Sequence, residues 1–406
     1  MSITYKSVIL PSSKSISNRL LLLNKLHGEP LELSNLSKAE DTIYLVNALS
    51  NEEKVRYVGE GGTSLRFAMT YFSSLEGSTD IYAAPRLLQR PHDALWEALR
   101  AMGVDIKEIN GDHGQGYCIT GIDFQSSPIL GRTQQIDVNT SSQFVTALLL
   151  LGSSIKEGLN LRYVEDQMVS KPYISLTINL MRKLGLSVNE HPNQLSITQQ
   201  QLLPQKIHVE YDWSGVYAFL GGALLTRNAL LIDGLKADDI QGDRQLLEVY
   251  HTMGLSYEFS ASGLQINPSD FQSRPAWEMD MLDYPDQIMN LVVLLSAFKC
   301  QGSITGIDTL FHKESNRVEA LRINLEKFGV ALSAEGSSLH FDATKFTPPN
   351  EVRINTFNDH RVAMAFAQLS MKSALTFTDA QCVKKSFPDF WNQWLSAFPE
   401  SRIEEK

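Results

Sequence analysis

Basic, hydroxyl-bearing and acidic residues recur in this sequence where runs of apolar residues begin. The clusters are Lys14-Ser15 with Arg19, Thr63 with Arg66, Ser141-Ser142-Gln143, Asp286, and Asp359-His360-Arg361. The N–H groups and the dipole at a helix N-terminus favour anions, and an adjacent Lys or Arg strengthens that attraction. If the apolar runs are helices, these residue types predict cradles for phosphate or carboxylate groups. Several such ends converging would form one pocket for small anions.

The apolar runs themselves repeat along the chain. Six helical openings are anchored at Ser17, Thr63, Ser141, Ser214, Asp286 and Asp359, at intervals of 46, 78, 73, 72 and 73 residues. Only the first interval is irregular. A period of this kind indicates that one structural unit is copied along the chain, and the copies must be recognised before the fold is assigned.

A second, amphipathic helix lies between these anchors in four copies. Its apolar positions follow the i, i+3, i+4, i+7 pattern, and it ends at a glycine suited to the C′ position of a helix. The terminal glycines are Gly103, Gly185, Gly254 and Gly329. Each copy is followed by a run typical of a β-strand, so the repeat mixes two helices with several strands and the fold class is α/β.

Composition narrows the classes of function. The chain has 406 residues, 43% of them hydrophobic and 20% charged, with a formal net charge of −10. An acidic chain is a poor nonspecific ligand for nucleic acid, which requires a basic surface. The most apolar stretches, residues 144–151 and 291–298, are well short of the roughly 18 to 20 apolar residues that cross a bilayer. We therefore expect neither a nucleic-acid partner nor a membrane span.

The N-terminus and the cysteines favour a reducing cytoplasm. Residues 1–14 lack the basic flank and apolar stretch of a signal peptide. The three cysteines, Cys118, Cys300 and Cys382, are too scattered for a disulfide framework, and no CxxC or HExxH spacing is present. No metal site is expected.

Each candidate residue also has a purely structural interpretation. The repeat could be a scaffold solenoid without chemistry. Asp286, Ser141 and Thr63 could be helix caps, and adjacent Lys313 and Glu314 could be a solvated face. On types and spacing alone these alternatives stay open.

Nine collinear segments distinguish among them. They are LPSSKSISNR (10–19), GEGGTSLR (59–66), QRPHDAL (89–95), SSQF (141–144), SKPYI (170–174), YPDQIM (284–289), KESNR (313–317), NDHRVAM (358–364) and KKSFPDF (384–390). In this order the chain resembles the 5-enolpyruvylshikimate-3-phosphate synthases. The resemblance implies an inside-out α/β barrel fold, with two similar domains of three βαβαββ-type repeats each and a substrate cleft between them. It places residues 13–211 in the domain that binds shikimate 3-phosphate. It places residues 1–12 and 212–406 in the enol-donor and catalytic domain.

The reaction implied by the resemblance joins phosphoenolpyruvate to the 5-hydroxyl of shikimate 3-phosphate and releases phosphate, in chorismate and aromatic amino-acid biosynthesis. By resemblance the catalytic residues are Lys14, Asp286 and Glu314. The residues implied for shikimate 3-phosphate are Lys14, Ser15, Arg19, Ser141, Ser142, Gln143, Ser170, Tyr173, Asp286 and Lys313. Those implied for phosphoenolpyruvate are Lys14, Gly62, Arg90, Gln143, Arg317, His360, Arg361 and Lys385. No cofactor is needed, and a monomer is expected.

Some positions depart from the family pattern. Ser12 stands for a glycine, Glu60 for an asparagine, Thr309 for an asparagine, and Asn316 for an acidic residue. Glu60 would repel an anionic substrate unless it points away or pairs with a cation. The stretch between Asp41 and Thr63 is short, which predicts that strands are missing from the first repeat.

Two rivals remain at this point. A related transferase acts on UDP-N-acetylglucosamine, but it usually carries a loop cysteine, which the stretch AAPRLLQRP lacks. A noncatalytic sugar-phosphate-binding repeat protein would not require Lys14, Asp286, Glu314 and Lys385 together.

Overall fold

The computed structural model describes residues 4–50, 55–126, 132–164 and 168–404. The chain divides into two compact units. The contiguous unit is Ser12–Val209, and the discontinuous unit combines Met1–Pro11 with Glu210–Lys406. Strands and helices are numbered along the chain.

In its described residues the contiguous unit has three sheets. Its strands are β2 (Leu31–Ser34), β3 (Arg56–Tyr57), β4 (Gly77–Tyr82), β5 (Asp105–Gly111), β6 (Gly114–Gly121), β7 (Thr133–Gln135), β8 (Leu159–Arg162), β9 (Asn189–His191), β10 (Gln194–Ile197) and β11 (Gln205–His208). Its helices are α1 (Lys14–Leu26), α2 (Glu40–Ala48), α3 (Gly62–Ser73), α4 (Pro85–Leu88), α5 (Asp93–Ala101), α6 (Ser142–Gly152) and α7 (Lys171–Lys183). The sheet orders are β11-β2, β3-β4-β6-β5 and β7-β8-β10-β9.

The described part of the discontinuous unit also has three sheets. Its strands are β1 (Lys6–Val8), β12 (Leu230–Asp233), β13 (Leu255–Ser260), β14 (Gly263–Pro268), β15 (Trp277–Asp280), β16 (Gln301–Thr305), β17 (Ala331–Glu335), β18 (Ser338–Asp342), β19 (Glu351–Ile354) and β20 (Ala374–Phe377). Its α-helices are α8 (Val216–Thr226), α9 (Leu247–Thr252), α10 (Ile288–Ala297), α11 (Arg317–Glu326), α12 (His360–Ala367) and α13 (Phe390–Ala397). Its 3-10 helices are Trp213–Gly215, Gly242–Leu246, Pro285–Gln287, Asp308–His312, Gln368–Met371 and Ala380–Lys385. The sheet orders are β1-β12-β14-β13, β15-β16-β18-β17 and β19-β20.

The four larger sheets share one pattern. In each, a parallel pair is extended by an antiparallel hairpin, as β7 and β8 are extended by β10 and β9. In three of these sheets one helix connects the parallel strands, because antiparallel partners can follow a tight turn but parallel ones need a crossover. In the fourth sheet β1 and β12 are separated in sequence by the contiguous unit, and α8 directly precedes β12. The order is therefore βαβαββ, and the α/β fold predicted from the repeats is confirmed. Within the described residues, the sheets β11-β2 and β19-β20 have the parallel pair alone.

Three apolar helices occupy the interior of each unit. In the contiguous unit α1, α3 and α6 contact one another, and in the discontinuous unit α8, α10 and α12 do so. Every residue of α6 except Gln143 is buried, as is every residue of α10 and α12. A helix that is apolar on all faces must be enclosed. The polar starts of these helices are therefore held by a rigid core.

The glycines predicted to end the second helices behave as helix stops. Gly103, Gly185 and Gly254 directly follow the C-cap residues of α5, α7 and α9, with φ of 104°, 85° and 106°. Glycine adopts this left-handed conformation without steric cost. Gly329, at φ 76°, lies one position further beyond α11.

In the described ranges, no helix is both long enough and apolar enough to cross a membrane.

Candidate active site

Serine residues predicted to bind the acceptor stand at three helix starts of the contiguous unit. Ser15 is in the first turn of α1, Ser142 is the first residue of α6, and Ser170 is the N-cap of α7. Ser170 holds a left-handed backbone, φ 53°. In the part of the chain that the structure describes, none of these hydroxyls has a hydrogen-bond partner. All of them can therefore donate to an anion.

Arg19 joins these helix starts. Its Nη1 donates to the Ser15 carbonyl at 2.8 Å, and its Nη2 donates to the Tyr173 carbonyl at 3.1 Å and to Thr146 Oγ1 at 3.4 Å. Its Nε donates to Thr177 Oγ1 at 2.8 Å. All four acceptors are neutral. Burial lowers the pKa of Arg19 to about 10, as expected for a buried cation, and no described carboxylate lies within 4.0 Å of it. The guanidinium thus supplies positive potential among the three helices that carry the serine hydroxyls.

Lys14, at the first position of α1, pairs with Asp41 of α2. The Nζ and Oδ2 atoms are 2.7 Å apart, and both side chains are largely buried. Asp41 also approaches the start of α3, because a Cβ placed on Gly61 would lie 2.6 Å from the Asp41 Cγ. The Asp41 carbonyl accepts from Ser64 Oγ at 2.7 Å. Asp41 therefore holds Lys14 beside the glycine-rich turn, a role that the sequence did not suggest.

Gly62 lies between two guanidinium groups. A Cβ on Gly62 would be 3.1 Å from Nη1 of Arg66 and 3.1 Å from Nη1 of Arg90. A larger residue would displace one of the two side chains. The Arg90 guanidinium therefore lies at the first residue of α3, and the contact of Gly62 and Arg90 with an anion stays a prediction.

Arg66 connects α3 with the start of α6. Its Nη1 donates to Gln143 Oε1 at 2.5 Å and to Ser141 Oγ at 3.4 Å, and its Nη2 donates to the Pro91 carbonyl at 2.8 Å. Ser141 is the N-cap of α6 and accepts from the Gln143 N–H at 3.3 Å. The segments that carry Arg90 and Gln143 are thereby fixed to one residue.

Arg317 is the centre of a charged network in the discontinuous unit. Its Nε donates to Asp359 Oδ2 at 2.9 Å, its Nη1 to Asp286 Oδ1 at 2.7 Å and its Nη2 to Glu314 Oε2 at 2.9 Å. The residue is 1% exposed. Burial lowers the pKa of Arg317, but the three carboxylates outweigh burial and raise it.

Asp286 stands in the 3-10 helix that leads into α10 and accepts from two cations. Besides Arg317, Lys313 Nζ lies 3.1 Å from its Oδ1. Burial raises the pKa of Asp286, but the charges of Lys313, Arg317 and Arg361 outweigh it and hold the pKa well below the usual value. Asp286 is therefore ionised at neutral pH.

The start of α12 is built around Asp359. Its Oδ1 accepts from the Arg361 N–H at 2.9 Å, and its Oδ2 accepts from Ser315 Oγ at 2.9 Å. His360 and Arg361 are buried in this turn. Before it, Phe357 and Asn358 have φ of 52° and 55°, and the Asn358 carbonyl accepts from Lys385 Nζ. Lys385 is thus tied to the loop that presents His360 and Arg361.

Asp243 is a buried acid that the sequence interpretation missed. Arg361 Nη1 donates to the Ser214 carbonyl at 3.1 Å, and Ser214 Oγ donates to Asp243 Oδ2 at 3.3 Å. Burial raises the pKa of the Asp243 carboxyl to about 6, although the charge of Arg361 opposes the shift. Asp243 lies in a 3-10 helix of the unit, and its type and spacing gave no signal of this position.

The predicted residues thus fall into two groups. The group of the contiguous unit comprises Lys14, Ser15, Arg19, Gly62, Arg90, Ser141, Ser142, Gln143, Ser170 and Tyr173. The group of the discontinuous unit comprises Asp286, Lys313, Glu314, Arg317, His360, Arg361 and Lys385. Among the described residues, no three His, Cys, Asp or Glu side chains are placed to hold a metal ion.

One departure from the expected pattern has a local explanation. Asn316 is the N-cap of α11, where its Oδ1 accepts from the Glu319 N–H at 3.1 Å, so an amide replaces a carboxylate without loss of the cap. Glu60 lies near Tyr57, whose pKa is raised by burial and then by Tyr44 and Glu60.

Comparisons with known proteins point to one family. The family model of EPSP synthase (3-phosphoshikimate 1-carboxyvinyltransferase) matches residues 45–394. The 3-phosphoshikimate 1-carboxyvinyltransferase of Bacteroides fragilis (strain YCH46) is 33% identical over 399 residues, 96% of this chain and 95% of the relative. That of Neisseria gonorrhoeae (strain NCCP11945) is 28% identical over 423 residues, 97% of this chain and 96% of the relative.

Solved structures show the same fold. An EPSP synthase from Acinetobacter baumannii matches with a TM-score of 0.73 at 17% identity, over 100% of this chain and 98% of that one. The enolpyruvyl transferase NikO from Streptomyces tendae matches with a TM-score of 0.71 at 14% identity, over 96% and 94%.

The repeated βαβαββ architecture is that of the enolpyruvyl transferases. Within that class, the chain belongs to the EPSP synthase family. It is an enzyme that transfers the enolpyruvyl group of phosphoenolpyruvate to shikimate 3-phosphate in aromatic amino-acid biosynthesis. The resemblance seen in the nine motifs is confirmed.

Proposed function

We propose that the two groups of residues described above bind the two substrates and perform the transfer. The observation that carries this assignment is the set of hydroxyl donors at the starts of α1, α6 and α7, the three helices that the buried guanidinium of Arg19 links through hydrogen bonds. A phosphate monoester presents several strong acceptor oxygens and negative charge, which such a set complements.

Shikimate 3-phosphate is assigned mainly to the contiguous unit. Ser141, Ser142, Gln143 and Ser170 supply hydrogen-bond donors for its phosphate, and Lys14, Ser15, Arg19 and Tyr173 line the rest of the acceptor site. Asp286 and Lys313 are assigned to the sugar hydroxyl side. Their 3.1 Å ion pair supports this assignment, because the Lys313 cation keeps the Asp286 carboxylate charged and so able to accept a hydrogen bond from the sugar hydroxyl.

Phosphoenolpyruvate is assigned to cations of both groups. Lys14, Gly62, Arg90 and Gln143 belong to the first group, and Arg317, His360, Arg361 and Lys385 belong to the second. Arg317 is already paired with three carboxylates, which occupy four of its five N–H donors, so it offers one Nη1 N–H to the substrate unless a carboxylate partner is exchanged. Glu314 and Asp286 are the candidates, since their side chains are 13% and 22% exposed whereas Asp359 is fully buried.

The chemistry requires two proton movements. A proton is added to the methylene carbon of phosphoenolpyruvate while the 5-hydroxyl oxygen attacks the adjacent carbon and loses its proton. The C–O bond to phosphate then breaks, the former methylene carbon returns a proton, and the enol ether is formed. We assign Asp286 to the hydroxyl, Glu314 to the methylene carbon and Lys14 to further proton handling. Positioned groups of this kind typically contribute about 10²- to 10⁴-fold.

We further propose that the chain works in the cytoplasm as a monomer and without a cofactor. The three cysteines are free thiols, which supports a reducing compartment.

The test is phosphate release from phosphoenolpyruvate, measured with shikimate 3-phosphate and separately with UDP-N-acetylglucosamine. Release only with the first acceptor is expected. Release only with the second would overturn the assignment of the acceptor, and binding without release would indicate a noncatalytic protein.

Variants Asp286→Asn and Glu314→Gln address the catalytic roles. Both are expected to lower kcat by about 10²-fold or more while the protein still binds shikimate 3-phosphate. The control is Glu319→Gln on the exposed side of α11, where Glu319 pairs with Arg322. If Asp286→Asn or Glu314→Gln is as active as this control, the substituted residue has no catalytic role.

A further inference from the structure

Arg66 is fixed on several sides at the start of α6. Its Nη1 donates to Gln143 Oε1 and Ser141 Oγ, and its Nη2 donates to the Pro91 carbonyl. Its Cζ lies 4.9 Å from the centre of the Phe144 ring, and the residue is 2% exposed. The guanidinium therefore has little freedom to turn or to reach a ligand itself.

The chemistry of a guanidinium determines the orientation of Gln143. Arginine carries five N–H donors and no acceptor, so only the oxygen of the Gln143 amide can face it. The amide nitrogen must then point away from Arg66. In the described part of the chain, the Gln143 Nε2 atom has no acceptor. Its two N–H groups are available to a ligand.

The same reasoning applies to Ser141. A hydroxyl has two lone pairs and one hydrogen. The Ser141 oxygen accepts from the Gln143 backbone N–H at 3.3 Å and from Arg66 at 3.4 Å. Both lone pairs are thereby engaged, and only the O–H remains. Within the described residues this O–H has no acceptor either.

We propose that Arg66 is a positioning residue that sets the hydrogen-bond polarity of Ser141 and Gln143, so that both present donors to the anionic substrate. The inference rests on the proposed function, because it takes from there that these two residues contact shikimate 3-phosphate. Arg66 acts through them and does not touch the substrate. A neutral serine and a neutral amide thus become a pair selective for oxygen acceptors.

The sharpest test is Gln143→Glu. The carboxylate keeps the contact with Arg66 and strengthens it by charge, but it has no donor to offer. We expect the urea midpoint to stay or rise, while the Kd for shikimate 3-phosphate, measured by calorimetry, rises about 10- to 100-fold. Gln143→Met has a side chain of similar length that carries neither the amide oxygen nor the amide N–H groups, so this variant should lose both affinity and stability. Wild-type affinity in Gln143→Glu would overturn the proposal.

Arg66 can be tested directly by chemical rescue. In Arg66→Ala, affinity for shikimate 3-phosphate is expected to fall by a similar factor. Added guanidinium ion should restore part of it, because it offers donors alone, whereas urea at the same concentration should not, because its oxygen also accepts. Equal rescue by urea and guanidinium would contradict the polarity argument. If Arg66→Ala does not fold, the Gln143→Glu result decides.

Arg56→Ala is a matched control. Its guanidinium also lies over an aromatic ring of the same unit, 4.6 Å from the centre of the Phe72 ring, but it contacts neither Ser141 nor Gln143. Its affinity should be that of the wild type and should not respond to guanidinium.

Failure of the inference and of the proposed function are separable. If the wild-type protein turns over both substrates and Gln143→Glu binds shikimate 3-phosphate as tightly as the wild type, the inference about Arg66 is wrong and the proposed function stands. A wild-type protein that does not bind shikimate 3-phosphate overturns both.

Discussion

Removing the Arg317 side chain is expected to destabilise the discontinuous unit severely. Arg317→Ala leaves Asp286, Glu314 and Asp359 facing one another without the cation that now joins them. Breaking a buried ion pair by deleting one partner costs about 3 to 5 kcal/mol, because the remaining charge stays buried and uncompensated. With an m-value of roughly 2 to 3 kcal/mol per M of urea, the unfolding midpoint should fall by about 1 to 2.5 M.

Tryptophan fluorescence is suited to this measurement. Trp213, Trp277, Trp391 and Trp394 lie in the discontinuous unit, and Trp96 is in the contiguous one. The control is Arg322→Ala, which removes an exposed pair with Glu319 and should leave the midpoint unchanged.

The pH dependence supplies a second readout. In the native protein burial raises the pKa of Asp359, but Arg317 brings it below the usual value. Such a group adds stability above its unfolded pKa, and this is lost as the pH falls through the folded pKa. Without Arg317 the carboxyl pKa values should rise instead, and protonation would relieve the repulsion. The difference in urea midpoint between the wild type and Arg317→Ala should therefore become smaller between pH 7 and pH 5. A midpoint like the wild type, or a deficit that grows on acidification, would refute the reasoning.

Other substitutions test separate features. Gly62→Ala places a methyl group 3.1 Å from the Arg66 and Arg90 guanidinium nitrogens. The KM for phosphoenolpyruvate should therefore rise about tenfold, which corresponds to roughly one lost hydrogen bond. The thermal stability should not change. Burial raises the pKa of Asp243 to about 6, so its contribution to stability falls as the pH rises through that value. In Asp243→Asn this contribution is absent, so the urea midpoint should depend less on pH between pH 4.5 and pH 7 than it does in the wild type. Lys385→Ala should weaken use of phosphoenolpyruvate by about 2 to 5 kcal/mol of lost ion pairing in steady-state kinetics; unchanged kinetics would remove Lys385 from the site.

The fold was predictable because its signals are local and repeated. The apolar helices at α3, α6, α10 and α12 follow the anchors at Thr63, Ser141, Asp286 and Asp359, and three of the four glycine stops lie directly after a C-cap. In the described residues β2 pairs with β11 alone; residues 51–54 of the short stretch lie outside the described residues, and the loss of strands there stays a prediction. Periodicity and cap chemistry act over a few residues, which is the range a single sequence reports.

The side-chain contacts within the site were not predictable from the sequence in the same way. Lys14 pairs with Asp41 across 27 positions, and Arg66 reaches Gln143 across 77. Such contacts depend on how helices pack and on which rotamers that packing permits, and neither leaves a periodic trace in the sequence. Arg317 was predicted as a ligand for the enol donor, but its three carboxylate partners could not be inferred from its position at the start of α11.

The pairing of β1 with β12 has a consequence for synthesis on the ribosome. Lys6 lies opposite Leu230, so the first strand must wait for about 220 further residues before its neighbour exists. At roughly 5 to 20 residues per second, that delay is about 10 to 45 s. During this time residues 12–209 can complete their own sheets, because in the described part of this segment β2 to β11 pair only among themselves. The nascent chain is therefore expected to acquire protease resistance in this middle segment first, with its N-terminal tail still open to cleavage.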